Sequence, residues 1–234
     1  MLVPLNGTKS IRFSFNSKNS RVKLVPNIVE AFLKFDDVVT LNPQIRAKAD
    51  AVAGSLGEVE QARALFEWVR DEIPHSKDIG AEQVTCTSSE VLAAGTGICF
   101  AKSHLVASMM RHVGIPCGFC YQVFENSLAS DSESLALHGL NAIYLTTTSS
   151  WHRIDPRGNR ADIAASFSTD AEVLAFPEMR FLDDCIYASP LDVVVSGLRH
   201  AESITTLWPN LPSTLPAEQG TGDHPLPAEI QTKQ

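Results

Sequence analysis

Apolar side chains recur at helical spacing through the first half of the chain and gather into short, strand-like runs in the second. Ala62, Leu65, Phe66, Val69 and Ile73 fall on one face of a helix, which Ser55-Leu-Gly-Glu58 opens at capping-box spacing and Pro74 ends. Upstream, Asn42 as N-cap and Pro43 at the first helical position predict a helix over about residues 41–53. Pro26 and Asn27 introduce a shorter one over 27–34. Residues 75–87 are polar and read as loop, and 88–94 as a short helix capped by Thr87 or Ser88 and broken by Gly95-Thr-Gly97. A helix from about 99 to 113 places Leu105, Val106, Met109, Met110 and Val113 on its buried side, with Gly114 and Pro116 as stop signals.

Strand-like runs follow at 118–124, 139–146 and 150–155, and residues 190–201 close the pattern as a helix. Weak alternation around Ile11, Phe13 and Phe15, and again at Val22 and Leu24, predicts one or two strands near the start, with a turn at 16–19. The segment 125–133 holds acidic, serine and asparagine side chains and reads as an exposed loop. It leads towards His138, a position from which it would disfavour acidic substrates. From Pro209 onward, prolines sit among small and polar residues that cannot bury enough surface to offset their ordering entropy. The expected organisation is one domain over 1–208, with a core at about 55–160, and a disordered tail over 209–234.

Composition narrows the function classes. In 234 residues, 44% apolar and 20% charged side chains suffice for a sizeable core. A net charge of -8 argues against nucleic acid or an anionic membrane surface as partner. No run approaches the roughly 20 apolar residues that span a bilayer. The first residues lack a basic segment followed by an apolar one, so the cytosol is the expected compartment. Five cysteines at irregular spacing fit a reducing environment better than a disulfide framework. Cys117 and Cys120 have the CxxC form, but the run around them reads as a strand and no second ligand pair completes a zinc site, so buried thiols are expected.

The chemistry gathers at Cys99. Gly97-Ile-Cys-Phe-Ala-Lys-Ser103 places this thiol where a turn gives way to a helix. Uncapped N–H groups there favour a thiolate and can also hold an oxyanion. Gly95 and Gly97 suit a tight turn that leaves the sulfur unobstructed. His138, on a strand, follows as base, and Asp155, at a strand end, as the group that orients it. His152 is a rival for His138. His75, His104 and His112 are weaker candidates. Gln122 is a candidate side-chain donor to an oxyanion, beside the backbone N–H of Cys99.

Taken together these segments resemble the transglutaminase-like superfamily, above all its bacterial and archaeal cysteine-protease-like members and relatives of peptide N-glycanase. The resemblance runs from about Ala62 to Asn159. It includes the helix Ala64-Leu-Phe-Glu-Trp-Val-Arg-Asp-Glu-Ile73, the stretch Glu90 to Cys99 with Lys102, Gly114-Ile-Pro116, His138-Gly139 and Trp151-His-Arg-Ile-Asp-Pro156. It implies an α+β, papain/transglutaminase-like core, with a nucleophilic Cys99 at the start of a central helix packed on a small antiparallel sheet. It implies His138 as base and Asp155 as orienting acid. Two departures bear on the substrate pocket. Phe100-Ala-Lys-Ser stands where many relatives have a small residue and an Asp, and Leu140 stands where an aromatic residue is common.

The expected reaction is acyl transfer from a peptide or small-molecule amide through a thioester, ending in hydrolysis. The alternatives are an amide-forming acyltransferase that uses an amine, and an inactive peptide-binding scaffold. The calcium sites of animal transglutaminases are not carried over, and no metal or cofactor is expected. The oligomeric state stays open.

Overall fold

The computed structural model describes residues 10–12, 29–125, 135–177, 181–182 and 185–215. The expected strand at 22–24, the turn at 16–19, the acidic segment beyond residue 125 and the tail from 216 lie outside them.

Among the described residues four α-helices precede strand β2: α1 (Pro43–Ala53), α2 (Glu58–Glu72), α3 (Ser88–Ala94) and α4 (Cys99–His112). The Asn42 side chain accepts from the N–H of Ile45, and Pro43 takes the first helical position, as the sequence predicts. The capping box expected at Ser55 and Glu58 does not form. Helix α2 starts at Glu58 with Gly57 as an N-cap that lends no side-chain bond. Glu58 instead binds the main-chain N–H and side-chain hydroxyl of both Thr146 and Thr147. The capping box appears at α3, between Thr87 and Glu90. Residues 30–33 form a 3-10 turn rather than an α-helix.

The sheet comprises β1 (Ser10–Arg12), β2 (Cys117–Glu125), β3 (Leu135–Leu145), β4 (Ser150–Ile154), β5 (Phe181–Leu182) and β6 (Cys185–Tyr187). Among the described residues all strand pairings within this sheet are antiparallel, in the order β1-β6-β2-β3-β4, with β5 against β2. This is the α+β arrangement expected, helices on one side of a small antiparallel sheet. Helix α5 (Asp192–His200), helix α6 (Ile204–Leu207) and a 3-10 turn at Trp208–Asn210 complete it. The chain then stays on the domain to residue 215. Leu211 is buried, and the Pro212 carbonyl accepts from the N–H of Leu137 at 2.6 Å.

The central helix departs from its expected one-sided pattern. Every residue of α4 from Cys99 to Arg111 is buried, and Val113 just beyond is half-buried. The reason is enclosure, since α1, α2 and α3 pack on one side of α4 and β2 and β3 on the other. Several of its polar side chains therefore find internal partners. Ser108 donates to the Thr40 carbonyl at 2.6 Å, and a ring nitrogen of His104 lies 2.6 Å from the Cys86 carbonyl. Arg111 binds the carbonyls of Lys34, Cys117 and Ala188, tying together the end of the 3-10 turn, the start of β2 and the exit of β6.

Strand β3 is buried on both faces, so its sequence shows no alternation. Gly139 and Asn141 face α4, where the Asn141 amide donates to the Ser103 carbonyl at 3.1 Å. Leu140 and Ala142 face a second core with Phe32, Trp151 and Ile186. Cys117 and Cys120, three apart on β2, fall into different cores and cannot share one ion.

Candidate active site

The position of Cys99 is set by the turn before it. Gly95 closes α3 in the left-handed region at φ 67°, its N–H bonded to the Val91 carbonyl. Gly97 then runs beside His75 in a short parallel bridge, with the N–H of Ser76 bonded to the Gly97 carbonyl at 3.2 Å. A Cβ at Gly97 would lie 3.1 Å from both Ala101 and Thr85, so the turn is filled on its inner side. Helix α4 begins at Cys99 with no side chain capping its N–H groups. The turn is less open than expected: the 75–76 segment bridges Gly97, and Cys99 is only 9% exposed.

Strand β3 delivers His138, and the end of β4 delivers Asp155. Asn141 pairs with Ile154 across the two strands, which fixes the register that brings the imidazole and carboxylate side by side. His138 Nε2 lies 2.8 Å from Asp155 Oδ2, with both side chains buried. Asp155 also accepts from the N–H groups of Ala175, at 3.0 Å, and Arg157, at 3.2 Å. The Cys99 sulfur stands near enough to act on the same imidazole.

The electrostatics agree with this geometry. Burial opposes a charge on His138, but the Asp155 carboxylate and the Cys99 sulfur outweigh it and raise the imidazole to about 10. Burial likewise opposes charge on Asp155, yet the imidazolium and two backbone N–H groups hold the carboxyl below its ordinary value. The preferred state is an imidazolium held between a carboxylate and a sulfur.

The strap at 174–176 forms one wall. Leu174 is buried in the second core, Ala175 bonds Asp155, and the Phe176 ring stands edge-on to His138 at 5.0 Å. Gln122 pairs with His138 across β2 and β3, and its amide nitrogen donates to the Phe176 carbonyl at 3.2 Å. The side-chain oxygen of Gln122 is buried with no partner. In this geometry Gln122 offers an acceptor beside the imidazole, with its donor engaged by the strap. The Arg157 guanidinium is gripped by both oxygens of Asp78, at 2.6 and 2.9 Å.

His138 and Asp155 thus come together with the Cys99 sulfur near the imidazole, and the rival histidines lie elsewhere or lack this partner. His152 faces Thr148 and Ser150, at 2.7 and 2.9 Å. His104 is locked into the interior of α4, and His112 pairs with Asp50 at 2.8 Å. His75 stands nearer than its polar loop suggests. It is buried, its Nδ1 lacks a hydrogen bond, and Asp78 lies 4.0 Å away. Burial and the charge of Arg157 hold its pKa well below the ordinary value, so its ring is neutral. Sequence reasoning missed Phe176, Arg157 and Asp78. No periodicity marks residues 156–180, and only tertiary packing shows where they fall.

An α+β core in which a helix-borne thiol meets an imidazole and a carboxylate from antiparallel strands defines the papain-like and transglutaminase-like class of folds. Within that class, residues 45–156 match the family model of the transglutaminase-like superfamily. Among solved structures, a candidate cysteine protease from Cytophaga hutchinsonii aligns with a TM-score of 0.45 at 16% identity, over 59% of this chain and 45% of its own. The periplasmic domain of TgpA from Pseudomonas aeruginosa aligns at 0.43 and 17% identity, over 57% and 48%. A TGase aligns at 0.39 and 12% identity, over 64% and 38%. The chain therefore matches less than half the length of each of these three. No curated protein matches it. Among the described residues no helix is long and apolar enough to cross a membrane.

Proposed function

We propose that the chain is a cysteine-dependent acyl-transfer enzyme that cleaves an amide or peptide bond through a thioester on Cys99. The observation that carries this reading is the buried His138–Asp155 contact of 2.8 Å, with the Cys99 sulfur near enough to act on the imidazole. The Cys99 thiolate attacks the amide carbonyl, and the N–H groups at the start of α4 receive the developing oxyanion. The C–N bond then breaks as His138 gives its proton to the leaving amine. Water attacks the thioester, His138 takes a proton from it, and the acid departs as the thiolate re-forms. Asp155 holds the imidazole in place throughout. Gln122 accepts an N–H of the substrate with its unpaired oxygen. No cofactor enters these steps, and five cysteines at irregular spacing suit work in a reducing cytosol.

Iodoacetamide labelling near neutral pH tests the first step. Cys99 is expected to react at least about tenfold faster than Cys86 and Cys185, because the neighbouring imidazolium favours its thiolate. Burial raises Cys86 to about 11. Equal rates at Cys99 and Cys86 would remove the activated thiolate and leave a peptide-binding scaffold. Intact mass after incubation with candidate amides, with and without a primary amine, then reads the acceptor. A free acid in both reactions supports hydrolysis, and a new amide would move the assignment to an acyltransferase.

A further inference from the structure

One buried charge takes no part in the steps above. Lys102 lies one turn into α4 from Cys99 and is fully buried. Its Nζ donates to the Arg70 carbonyl near the end of α2 at 3.1 Å, and to the Arg157 carbonyl at 2.9 Å. Arg157 stands two residues beyond Asp155, and its own N–H donates to Asp155 Oδ1. A single ammonium therefore joins the helix of Cys99, the end of α2 and the turn that holds the carboxylate. Gly158 leaves room for it. A Cβ there would stand 3.2 Å from Nζ, on a backbone at φ 108°.

Burying an ammonium against two neutral carbonyls is costly, and a clamp between helix and turn does not require a charge. The charge does have a counterpart. Thiolate, imidazolium and carboxylate together carry one net negative charge, in a site where Cys99, His138 and Asp155 are all buried. Lys102 is attracted by Asp155, Asp71 and Asp78 and repelled by Arg157. It also acts on His75, which stays neutral. Burial first, and Arg157 second, lower Lys102 to about 7, so its ammonium form prevails on the acid side of neutrality.

We infer that Lys102 is a positioning residue of the site: its ammonium holds the Asp155 turn against the helix of Cys99 and supplies the counter-charge that keeps the thiolate–imidazolium pair formed. This rests on the reading of Cys99, His138 and Asp155 given under Proposed function. Removing the positive charge leaves the net negative charge of the site without its counterpart, so Cys99 is alkylated more slowly on the acid side.

The test is the pH profile of Cys99 alkylation by iodoacetamide, over about pH 5–7, in the wild type, Lys102→Met and Lys102→Gln, with thermal melting alongside. Methionine keeps the length without the charge, and glutamine keeps a donor without the charge. In both variants the acid limb is expected to move up by about one pH unit, a tenfold loss of rate on that limb. An unchanged profile, with any loss confined to melting temperature, would overturn the proposal and leave Lys102 as a structural clamp. Failure of both variants to fold would overturn it too, by assigning the residue to the core alone. Wild-type Cys99 that reacts no faster than Cys185 would instead refute the proposed function, a separate failure visible before any variant is made.

Discussion

Phe100 occupies the space that a side chain at residue 139 would need. A Cβ built on Gly139 would stand 2.5 Å from Phe100 Cδ1 and 3.4 Å from Phe100 Cα. These two residues directly follow Cys99 and His138, so their contact sets how closely the thiol approaches the imidazole. The departure at Phe100 is thereby matched by the absence of a side chain opposite.

Gly139→Ala is expected to destabilise the fold by about 1–3 kcal/mol through overpacking. Cys99 alkylation should slow with it, because the Phe100 backbone cannot yield without moving Cys99. Phe100→Leu in the same background should recover part of both losses. A double-mutant cycle in melting temperature and alkylation rate checks this, and strictly additive effects would contradict it.

Asp155→Asn should leave the backbone intact while removing the charge that steadies the imidazolium. Turnover of a responsive amide is expected to fall by roughly two to four orders of magnitude, as when an orienting carboxylate is lost from comparable sites. His152→Asn, whose ring is bonded to Thr148 and Ser150, should retain wild-type rate. Comparison of kcat for the two variants decides between the histidines and their partners.

Alkaline stability carries two opposing contributions. His138 is raised from 6.5 to about 10, so its stabilisation is complete below 6.5 and is lost as pH rises through 10. Lys102 is lowered from 10.5 to about 7, so its contribution is present above 10.5 and is lost as pH falls through 7. Between about pH 7 and 10 the two slopes oppose each other. Lys102→Met should therefore lose stability with rising pH more steeply than the wild type, and His138→Gln less steeply. Urea unfolding across that range reads both slopes.

Acid instability should trace in part to His104. Burial lowers this histidine from 6.5 to about 4, so stability is present above 6.5 and drains away as pH falls towards 4. His104→Gln is expected to be less stable at neutral pH but flatter across that window. An identical acid slope in the variant would assign the loss elsewhere, to Asp155 first.

Arg111→Lys tests the buried guanidinium that ties three carbonyl groups together. A lysine has neither the fork nor the reach to satisfy all of them, so about 2–4 kcal/mol of stability should be lost. Denaturant unfolding measures this, while Cys99 labelling in the folded state should be unaffected.

Much of this arrangement was legible in local signals. Asn42 and Pro43 announced α1, Gly95 and Gly97 the turn before α4, and Gly114 and Pro116 its end. Where local signals failed, packing had overridden them. Ser55 yields to Gly57 as N-cap because Glu58 is drawn to Thr146 and Thr147, nearly ninety residues on. Lys102, His104, Ser108 and Arg111 on α4 are buried, each fitted to a carbonyl from another element.

The order of a thiol at a helix start, a histidine on a strand and an aspartate at a strand end belongs to the sequence. Turns, caps and side-chain period are local, so they can be read along the chain. Which histidine meets Asp155, where Phe176 and Ala175 fall, and that Lys102 is sealed between α2 and the Asp155 turn were decided only by tertiary structure. Those contacts depend on strand register and on surfaces brought together from distant segments, and no local spacing encodes either.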